Sequence, residues 1–507
     1  MSKQIPGCIT ALRDEIKTLG LKSHSGQVES GDVFVSLPSE KAPEFIGQAI
    51  DNGAGAIVAG SEQIAQFKQN NPGKADAVRI CSLTGSDFDT RDALALLASA
   101  KFGTGALPFP VAGITGTNGK TTITYLFEHL YKSAEKRAGV MGTVTYRWPG
   151  HQENAPLTTP DCLTVHSHLA KMRDQGQVDA AFLEVSSHAL AQKRVLGVNF
   201  FGAIFTNLTQ DHLDYHTGMD DYFAAKTKLF FEPYAGSGQI AVINHDQPYG
   251  KKLLGMLPNE ARIVSYGLGN APAVTGKNSN RRHLQGKIVS SSTAGLHLFM
   301  NWQTENGPLN WEIKTPLIGA YNAENLLAMQ AMALHLGFTP GDFTCFKSFT
   351  GTPGRLERIE NSKGLHVFVD YAHSPDALLN VQKELKNVGF KRLITVFGCG
   401  GNRDRTKRPL MGEAVAKYAD VAVLTSDNPR CEEPLAIMED VLPGLKNCPE
   451  VIQEVDRKQA ITIALGIAGP EDVLLVAGKG HEDYQIIGTT KYPFSDQQII
   501  REMLSCK

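Results

Sequence analysis

The chain has 507 residues, 42% hydrophobic and 20% charged, with a net charge of -2. That length exceeds what one core fills and predicts about two to four domains, while the near-zero charge gives no sign of a general nucleic-acid or membrane partner, so any bound anion is expected to be held locally. Eight cysteines without a C-x-x-C pair predict reduced thiols, with neither a disulfide framework nor a zinc site.

The first stretch, MSKQIPGCITALRDEIKTL, has scattered charges, and no run approaches the roughly 18 apolar residues that cross a bilayer; a cytoplasmic chain is expected. Short apolar runs then alternate with helical stretches, the pattern of parallel α/β sheets. Glycine and proline in GTGALPFP (103–110) mark a first break and TGTPGR (350–355) a second, predicting domains at 1–107, 108–352 and 353–507. In the middle domain three apolar strands each enter a polar loop: PVAGI into TGTNGK, AAFLE into VSSH, and GAIFT into NLTQDHLD. Alternation from Gln285 to Ile313 predicts a β-rich excursion. In the last domain HVFVD enters YAHSPD, RLITVFG enters CGGNRD, VAVLT enters SDNPR, and VLLVAG enters KGHED. Ligands of open parallel sheets sit beyond the carboxyl ends of the strands, which predicts that these four loops line one cleft.

The loop Gly113–Thr122 follows a strand and opens the helix TITYLFEHLYKSA. Gly116, Thr117, Asn118 and Gly119 build an anion nest, Lys120 brings a point charge for the outer phosphates, and Thr121 and Thr122 open the helix, with Thr121 placed to offer a hydroxyl to magnesium. The spacing departs from G-x-x-x-x-G-K-[ST], since position 114 is Ile. Glu184 ends one strand and His212 follows another, so a carboxylate and an imidazole meet at neighbouring strand ends near the phosphate loop, a donor pair for magnesium. Taken separately, each has an ordinary reading, a loop histidine being more often a surface or hydrogen-bonding side chain.

The string GITGTNGKTT resembles the nucleotide loop of the Mur ligase and folylpolyglutamate synthetase superfamily, and motifs over nearly the whole chain are similar to the Mur ligases. The resemblance implies three α/β domains: a small N-terminal domain that binds a uridine nucleotide, a central P-loop ATPase-type domain, and a C-terminal Rossmann-like domain. It implies an ATP-dependent ligase that joins meso-diaminopimelate to UDP-N-acetylmuramoyl-L-alanyl-D-glutamate through an acyl phosphate, in peptidoglycan precursor synthesis, as a monomer with two magnesium ions. By the same resemblance Lys226, in MDDYFAAKTKLFF, is carbamylated by carbon dioxide, and Lys120, Lys226, Glu184 and His212 serve catalysis. Asn325, Arg355 and Asp370 join the ATP site. Ser25, Thr158, Thr159, Ser186, Gln192 and Arg194, with His188, face the UDP-muramoyl peptide. In the N-terminal domain His24-Ser25-Gly26 stands where the family has Asp-Ser-Arg, and Ala42-Pro43-Glu44 precedes Phe45 where an Asp-Gly is usual.

Arg403, Asp427, Asn428, Pro429, Arg430, Gly478 and Glu482 are the positions implied for the amino acid. Arg430 would grip the distal carboxylate of diaminopimelate in bidentate fashion, and Glu482 its distal ammonium. Lysine-adding relatives lack that arginine. A lysine-adding ligase, a folylpolyglutamate synthetase and a P-loop switch or transport ATPase are the rival readings. Arg430 argues against the first, the domain ahead of the phosphate loop against the second, and the motifs outside that loop against the third.

Overall fold

The computed structural model describes residues 4–85, 88–211, 215–269, 280–304 and 307–505. It is a mixed α/β protein whose chain divides into two compact units. The first runs to Tyr266 and takes back Ala328–Phe338; the second holds Leu284–Leu327 and the chain from Thr339 onward.

The first unit contains two sheets. In the smaller, β1 (Leu21–Lys22), β2 (Val33–Val35), β3 (Ala56–Gly60) and β4 (Arg79–Leu83) lie in sequential parallel order. The larger is built from β5 (Val111–Thr115), β6 (Ala138–Met141), β7 (Thr145–Trp148), β8 (His151–Asn154), β9 (Ala180–Glu184), β10 (Phe200–Phe205), β11 (Ala235–Asn244) and β12 (Arg262–Gly267). Its spatial order is β12-β11-β10-β5-β9-β6-β7-β8. The strands β5 and β9 are buried at every position, which is why VAGIT and AAFLE read as continuous apolar runs: helices cover both faces of a parallel sheet. Because β10, β5 and β9 are parallel neighbours, their three polar loops leave from one edge. Asp89 caps the helix Thr90–Phe102 by accepting from the N–H groups of Arg91 and Asp92, satisfying donors that have no partner within the helix.

β13 (Arg281–Ser292), of the second unit from Leu284 on, forms an antiparallel meander with β14 (Gly295–Thr304) and β15 (Gly307–Thr315), the β-rich excursion expected from the alternation. The helix Ala320–Ala333 follows, its residues to Leu327 in the second unit and the remainder in the first. A six-stranded sheet comprises β16 (Glu357–Arg358), β17 (His366–Asp370), β18 (Leu393–Phe397), β19 (Val421–Leu424), β20 (Glu450–Gln453) and β21 (Val473–Ala477), in the order β16-β17-β21-β18-β19-β20. Only β16 is antiparallel to its neighbour. The loops after β17, β18, β19 and β21 therefore leave the same edge. A hairpin of β22 (Tyr484–Ile487) and β23 (Thr490–Pro493) follows the last of them.

One cysteine expectation is corrected. Cys8, on the helix Gly7–Glu15, and Cys81, on β4, form a disulfide with their Cα atoms 5.8 Å apart. Their sequence separation of 73 carries no local signal of pairing; only packing of that helix on the small sheet brings the thiols into bonding range.

Candidate active site

The phosphate loop turns where a side chain has no room. Gly116 has φ +141°, and a Cβ there would lie 1.9 Å from Thr206 Oγ1, so glycine is required. Thr206 donates to the Asn118 carbonyl at 2.6 Å, the Thr117 N–H to the Asn207 carbonyl at 2.9 Å, and the Asn118 N–H to Asn207 Oδ1 at 2.9 Å. The loop after β10 thus braces the loop after β5. Lys120 opens the helix Lys120–Ser133, and its Nζ donates to the carbonyls of Gly116 and Thr117 at 2.9 and 2.8 Å. That holds its charge over the loop, beside the first-turn N–H groups that attract anions. Thr122 is buried in the same turn.

Glu184, 1% exposed, ends β9 opposite Ile114 of β5. Its Oε2 accepts from Thr121 Oγ1 at 3.0 Å and from Thr143 Oγ1 at 2.9 Å, and its Oε1 from the Thr143 N–H at 3.0 Å. Thr143 Oγ1 is also 3.2 Å from Thr158 Oγ1. Next along, Thr159 Oγ1 donates to the Glu184 carbonyl at 2.7 Å and accepts from the Ser186 N–H at 3.0 Å. Ser186 caps the short helix Ser187–Ala191. Arg194 donates to the Thr159 carbonyl at 2.9 Å and, through Nε and Nη2, to Gln192 Oε1 at 3.1 and 2.7 Å. Seven residues singled out from the sequence, Thr121, Glu184, Thr158, Thr159, Ser186, Gln192 and Arg194, are thereby joined in one hydrogen-bonded row.

Lys226 lies on the helix Met219–Thr227 and is 1% exposed. Its Nζ donates to the Gly116 carbonyl at 2.8 Å and sits 4.6 Å from the centre of the Tyr222 ring. Burial, reinforced by the nearby Lys120 charge, holds its pKa well below the ordinary lysine value, which favours the neutral amine. The neighbouring Lys228 is exposed. His212 lies outside the described residues, and among the described residues no group of three or more His, Cys, Asp or Glu side chains is arranged to hold a metal ion.

Ser25 stands apart from this row, in the small sheet's surroundings, where its Oγ donates to Gln48 Oε1 at 2.7 Å.

Three participants escaped the sequence reading. Thr143 follows β6 with no motif around it. Tyr222, whose hydroxyl is 3.2 Å from Thr117 Oγ1, sits one helical turn before Lys226, and that i, i+4 spacing was a usable signal. His216 Nε2 is 2.9 Å from Ser187 Oγ and its Nδ1 3.2 Å from Asp221 Oδ2, fixing the loop next to Ser186.

In the second unit, Asp370 ends β17 and accepts from the N–H groups of Leu356 and Ala372 at 2.6 and 2.8 Å; burial raises its carboxyl pKa. Arg355 stacks its guanidinium 4.8 Å from the centre of the Tyr371 ring, and its Nε is buried without a hydrogen-bond partner. Asn325 is buried, donating to Asn322 Oδ1 at 3.3 Å.

The loops after β19 and β21 lock together. Asn428 Nδ2 donates to Glu482 Oε2 at 3.1 Å. Gly478 has φ +114°, and a Cβ on it would lie 2.6 Å from Asp427 Oδ2, an oxygen that is buried and has no hydrogen-bond partner. Arg430, with φ +51°, is a non-glycine residue in the left-handed region, a strained conformation of the kind concentrated at functional sites. The hairpin holds it there: the Arg430 N–H donates to the Ile486 carbonyl at 3.1 Å and the Gly488 N–H to the Arg430 carbonyl at 2.7 Å. Its Nη1 donates to the Gly401 carbonyl at 2.8 Å, and the Gly401 N–H to the Asn428 carbonyl at 2.9 Å. A Cβ on Gly401 would meet the Pro429 carbonyl at 1.9 Å, so the loops after β18 and β19 touch. Arg403 is exposed on the former. Beyond it Arg405 pairs with Asp440, and buried Arg408 with Glu432 and Asp440.

Two family descriptions match the chain, the Mur ligase middle domain over residues 114–333 and the Mur ligase glutamate ligase domain over 354–480. A UDP-N-acetylmuramoyl-L-alanyl-D-glutamate--2,6-diaminopimelate ligase of Lawsonia intracellularis is 53% identical, covering 95% of either chain. A ligase of the same name from Nostoc is 40% identical over 96% of this chain and 94% of its own. A solved structure of a protein bearing that name is 32% identical with a TM-score of 0.66, covering 96% of this chain and 94% of its own. The MurF ligase of Thermotoga maritima in complex with ADP, at 17% identity and a TM-score of 0.59 over 91% of this chain and 94% of its own, shares the fold. With a phosphate loop, a buried strand-end glutamate and a matching course along nearly the whole chain, this protein belongs to the Mur ligase family.

Proposed function

We propose that the protein is an ATP-dependent ligase that adds meso-diaminopimelate to UDP-N-acetylmuramoyl-L-alanyl-D-glutamate, the reaction named for its Lawsonia relative. What supports this above all is the row from Thr121 through Glu184 to Arg194, which runs from the phosphate loop to side chains suited to an anionic, hydroxyl-rich acceptor. ATP phosphorylates the D-glutamate side-chain carboxylate, releasing ADP and leaving an acyl phosphate. The incoming amine attacks that carbonyl carbon, phosphate departs, and a proton is lost from nitrogen. Phosphoryl transfer calls for alignment and charge neutralisation rather than a covalent enzyme group. Lys120 meets the outer phosphates and Arg355 the terminal one; Asp370 and Asn325 contact the nucleoside.

Thr121 and Glu184 present the hard oxygen donors that suit magnesium, and with His212 and carbamylated Lys226 they would hold two such ions. Magnesium, when bound, supplies charge neutralisation at the phosphate oxygens. A neutral, buried Lys226 amine is the form that adds to carbon dioxide with loss of a proton, exchanging a cation for an anionic oxygen donor. Thr158, Thr159, Ser186, Gln192 and Arg194 take the muramoyl dipeptide, and Ser25 the uridine end. Arg403, Asp427, Asn428, Pro429, Arg430, Gly478 and Glu482 select the amino acid, Arg430 at the distal carboxylate and Glu482 at the distal ammonium. Domains at 1–107, 108–352 and 353–507, a monomer and a cytoplasmic location complete the reading; no helix among the described residues is long and apolar enough to cross a membrane.

The test is phosphate release with the UDP-muramoyl dipeptide, comparing meso-diaminopimelate, L-lysine and no amino acid. Release that depends on meso-diaminopimelate is expected. Release without an acceptor, or a preference for lysine, overturns the assignment.

A further inference from the structure

Lys479 is a side chain that the reaction scheme leaves without a task. It follows Gly478 in the loop after β21 and is 0% exposed, although a lysine is almost never fully buried without partners. Its Nζ donates to Asn428 Oδ1 at 3.0 Å and to the Tyr484 carbonyl at 2.9 Å, and lies 3.9 Å from both Asp427 Oδ1 and Glu482 Oε2. Every one of these neighbours is an acceptor or an anion, the surroundings of an ammonium with three donors and no acceptor.

These contacts join three segments. Asn428 Oδ1 accepts from Lys479 and from the Ile486 N–H at 2.9 Å, which leaves Asn428 Nδ2 facing Glu482 Oε2. Gln485 Nε2 donates to the Asp427 carbonyl at 2.6 Å. The loop 427–430, the loop 478–482 and the hairpin behind Arg430 are therefore cross-linked around one buried cation. Of the charged groups facing Lys479, Asp427, Glu482 and Asp496 are anionic and Arg457 is cationic. Arg457 is already paired with Asp496 at 2.7 Å, both fully buried. Lys479 is thus the counter-charge left for Asp427 and Glu482.

We propose that Lys479 is a positioning residue for amino-acid selection: it orients Asn428 and Glu482 and holds the loops 427–430 and 478–482 in register around them, so that Glu482 meets the ammonium end of the incoming amino acid. This rests on assigning these loops to the amino acid. Removing the Lys479 ammonium while keeping its volume takes away the donor that fixes Asn428 Oδ1 and the cation beside Glu482, so both side chains lose their set orientation toward the incoming ammonium.

The experiment measures ligation kinetics of the full chain for wild type, Lys479→Met, Lys479→Gln and Arg430→Ala, with thermal unfolding of each. For Lys479→Met the KM for meso-diaminopimelate is expected to rise about tenfold or more. Its kcat and its KM for ATP and for the UDP-dipeptide stay within about threefold. Lys479→Gln, whose amide can still donate to Asn428, is expected to show a smaller rise. Should Arg430→Ala raise the same KM while Lys479→Met and Lys479→Gln leave it unchanged, the role of Lys479 is overturned. If Arg430→Ala leaves that KM unchanged, the loop assignment itself fails. A loss of all three substrates' binding in both folded Lys479 variants also overturns the proposal, because it marks a merely structural lysine.

Discussion

Thr121 Oγ1 donates to Glu184 Oε2 at 3.0 Å, tying the first turn after the phosphate loop to the end of the adjacent strand. The bond leaves two oxygens of hard-donor type side by side, with Thr143 completing the carboxylate's coordination. Glu184→Gln keeps the shape and removes the charge, so kcat is expected to fall by about 100-fold or more, in the range of a lost electrostatic element at the reacting centre. Thr143→Val, which removes one hydroxyl and leaves the backbone donor, is expected to cost about tenfold. Magnesium titration of single-turnover rates distinguishes the two, since only Glu184→Gln shifts the metal requirement strongly.

Lys226 and Lys228 are two residues apart, one buried and one exposed. Lys226→Ala is expected to be nearly inactive and to regain part of its activity with added short carboxylates that refill the oxygen position; Lys228→Ala is expected to be unchanged. Mass spectrometry in bicarbonate of labelled carbon, under conditions that preserve a carbamate, checks the modification on Lys226 directly. Full activity of unrescued Lys226→Ala would reduce it to an ordinary buried lysine.

Arg430 tests the choice of amino acid. Losing a charge-assisted pair to the distal carboxylate costs about 2–5 kcal/mol, or roughly 30-fold to several thousand-fold in kcat/KM at about 1.4 kcal/mol per decade. Arg430→Ala is expected to show that loss mainly in KM for meso-diaminopimelate. Arg430→Lys recovers little, because an ammonium lacks the planar fork. Kinetics for Arg430→Ala within a factor of two of wild type would exclude this role.

Stability carries its own pH signature through His166. The ring is 0% exposed, sits against Thr104 Oγ1, and has Nε2 2.9 Å from the Leu196 carbonyl. Burial brings its pKa down from 6.5 to about 4. Below pH 6.5 the unfolded chain takes up a proton that the folded chain refuses, so stability drops as pH falls from 6.5 toward 4 and is unaffected by this group above 6.5. The full shift corresponds to roughly 3 kcal/mol. Denaturant unfolding across that window should show a shallower pH dependence for His166→Gln than for wild type; equal slopes would refute the assignment.

The local pattern of residues determined the strands, the polar loops at their ends and the glycine-rich turn before Lys120. Hydrophobic runs, glycine punctuation and short motifs are properties of neighbouring residues, and parallel pairing then puts the loops of β5, β9 and β10 on one edge. Tertiary structure decided which side chains complete those loops. Thr143 meets Glu184 across 41 residues, Lys479 meets Asn428 across 51, and Cys8 meets Cys81 across 73. None of these pairs has a sequence spacing that encodes contact, because each depends on strand order and on helices packing against a sheet. The same holds for ionisation: Lys226 and Lys228 are the same residue type, and only burial, against the Gly116 carbonyl and the Tyr222 ring, lowers the pKa of Lys226 toward the neutral amine.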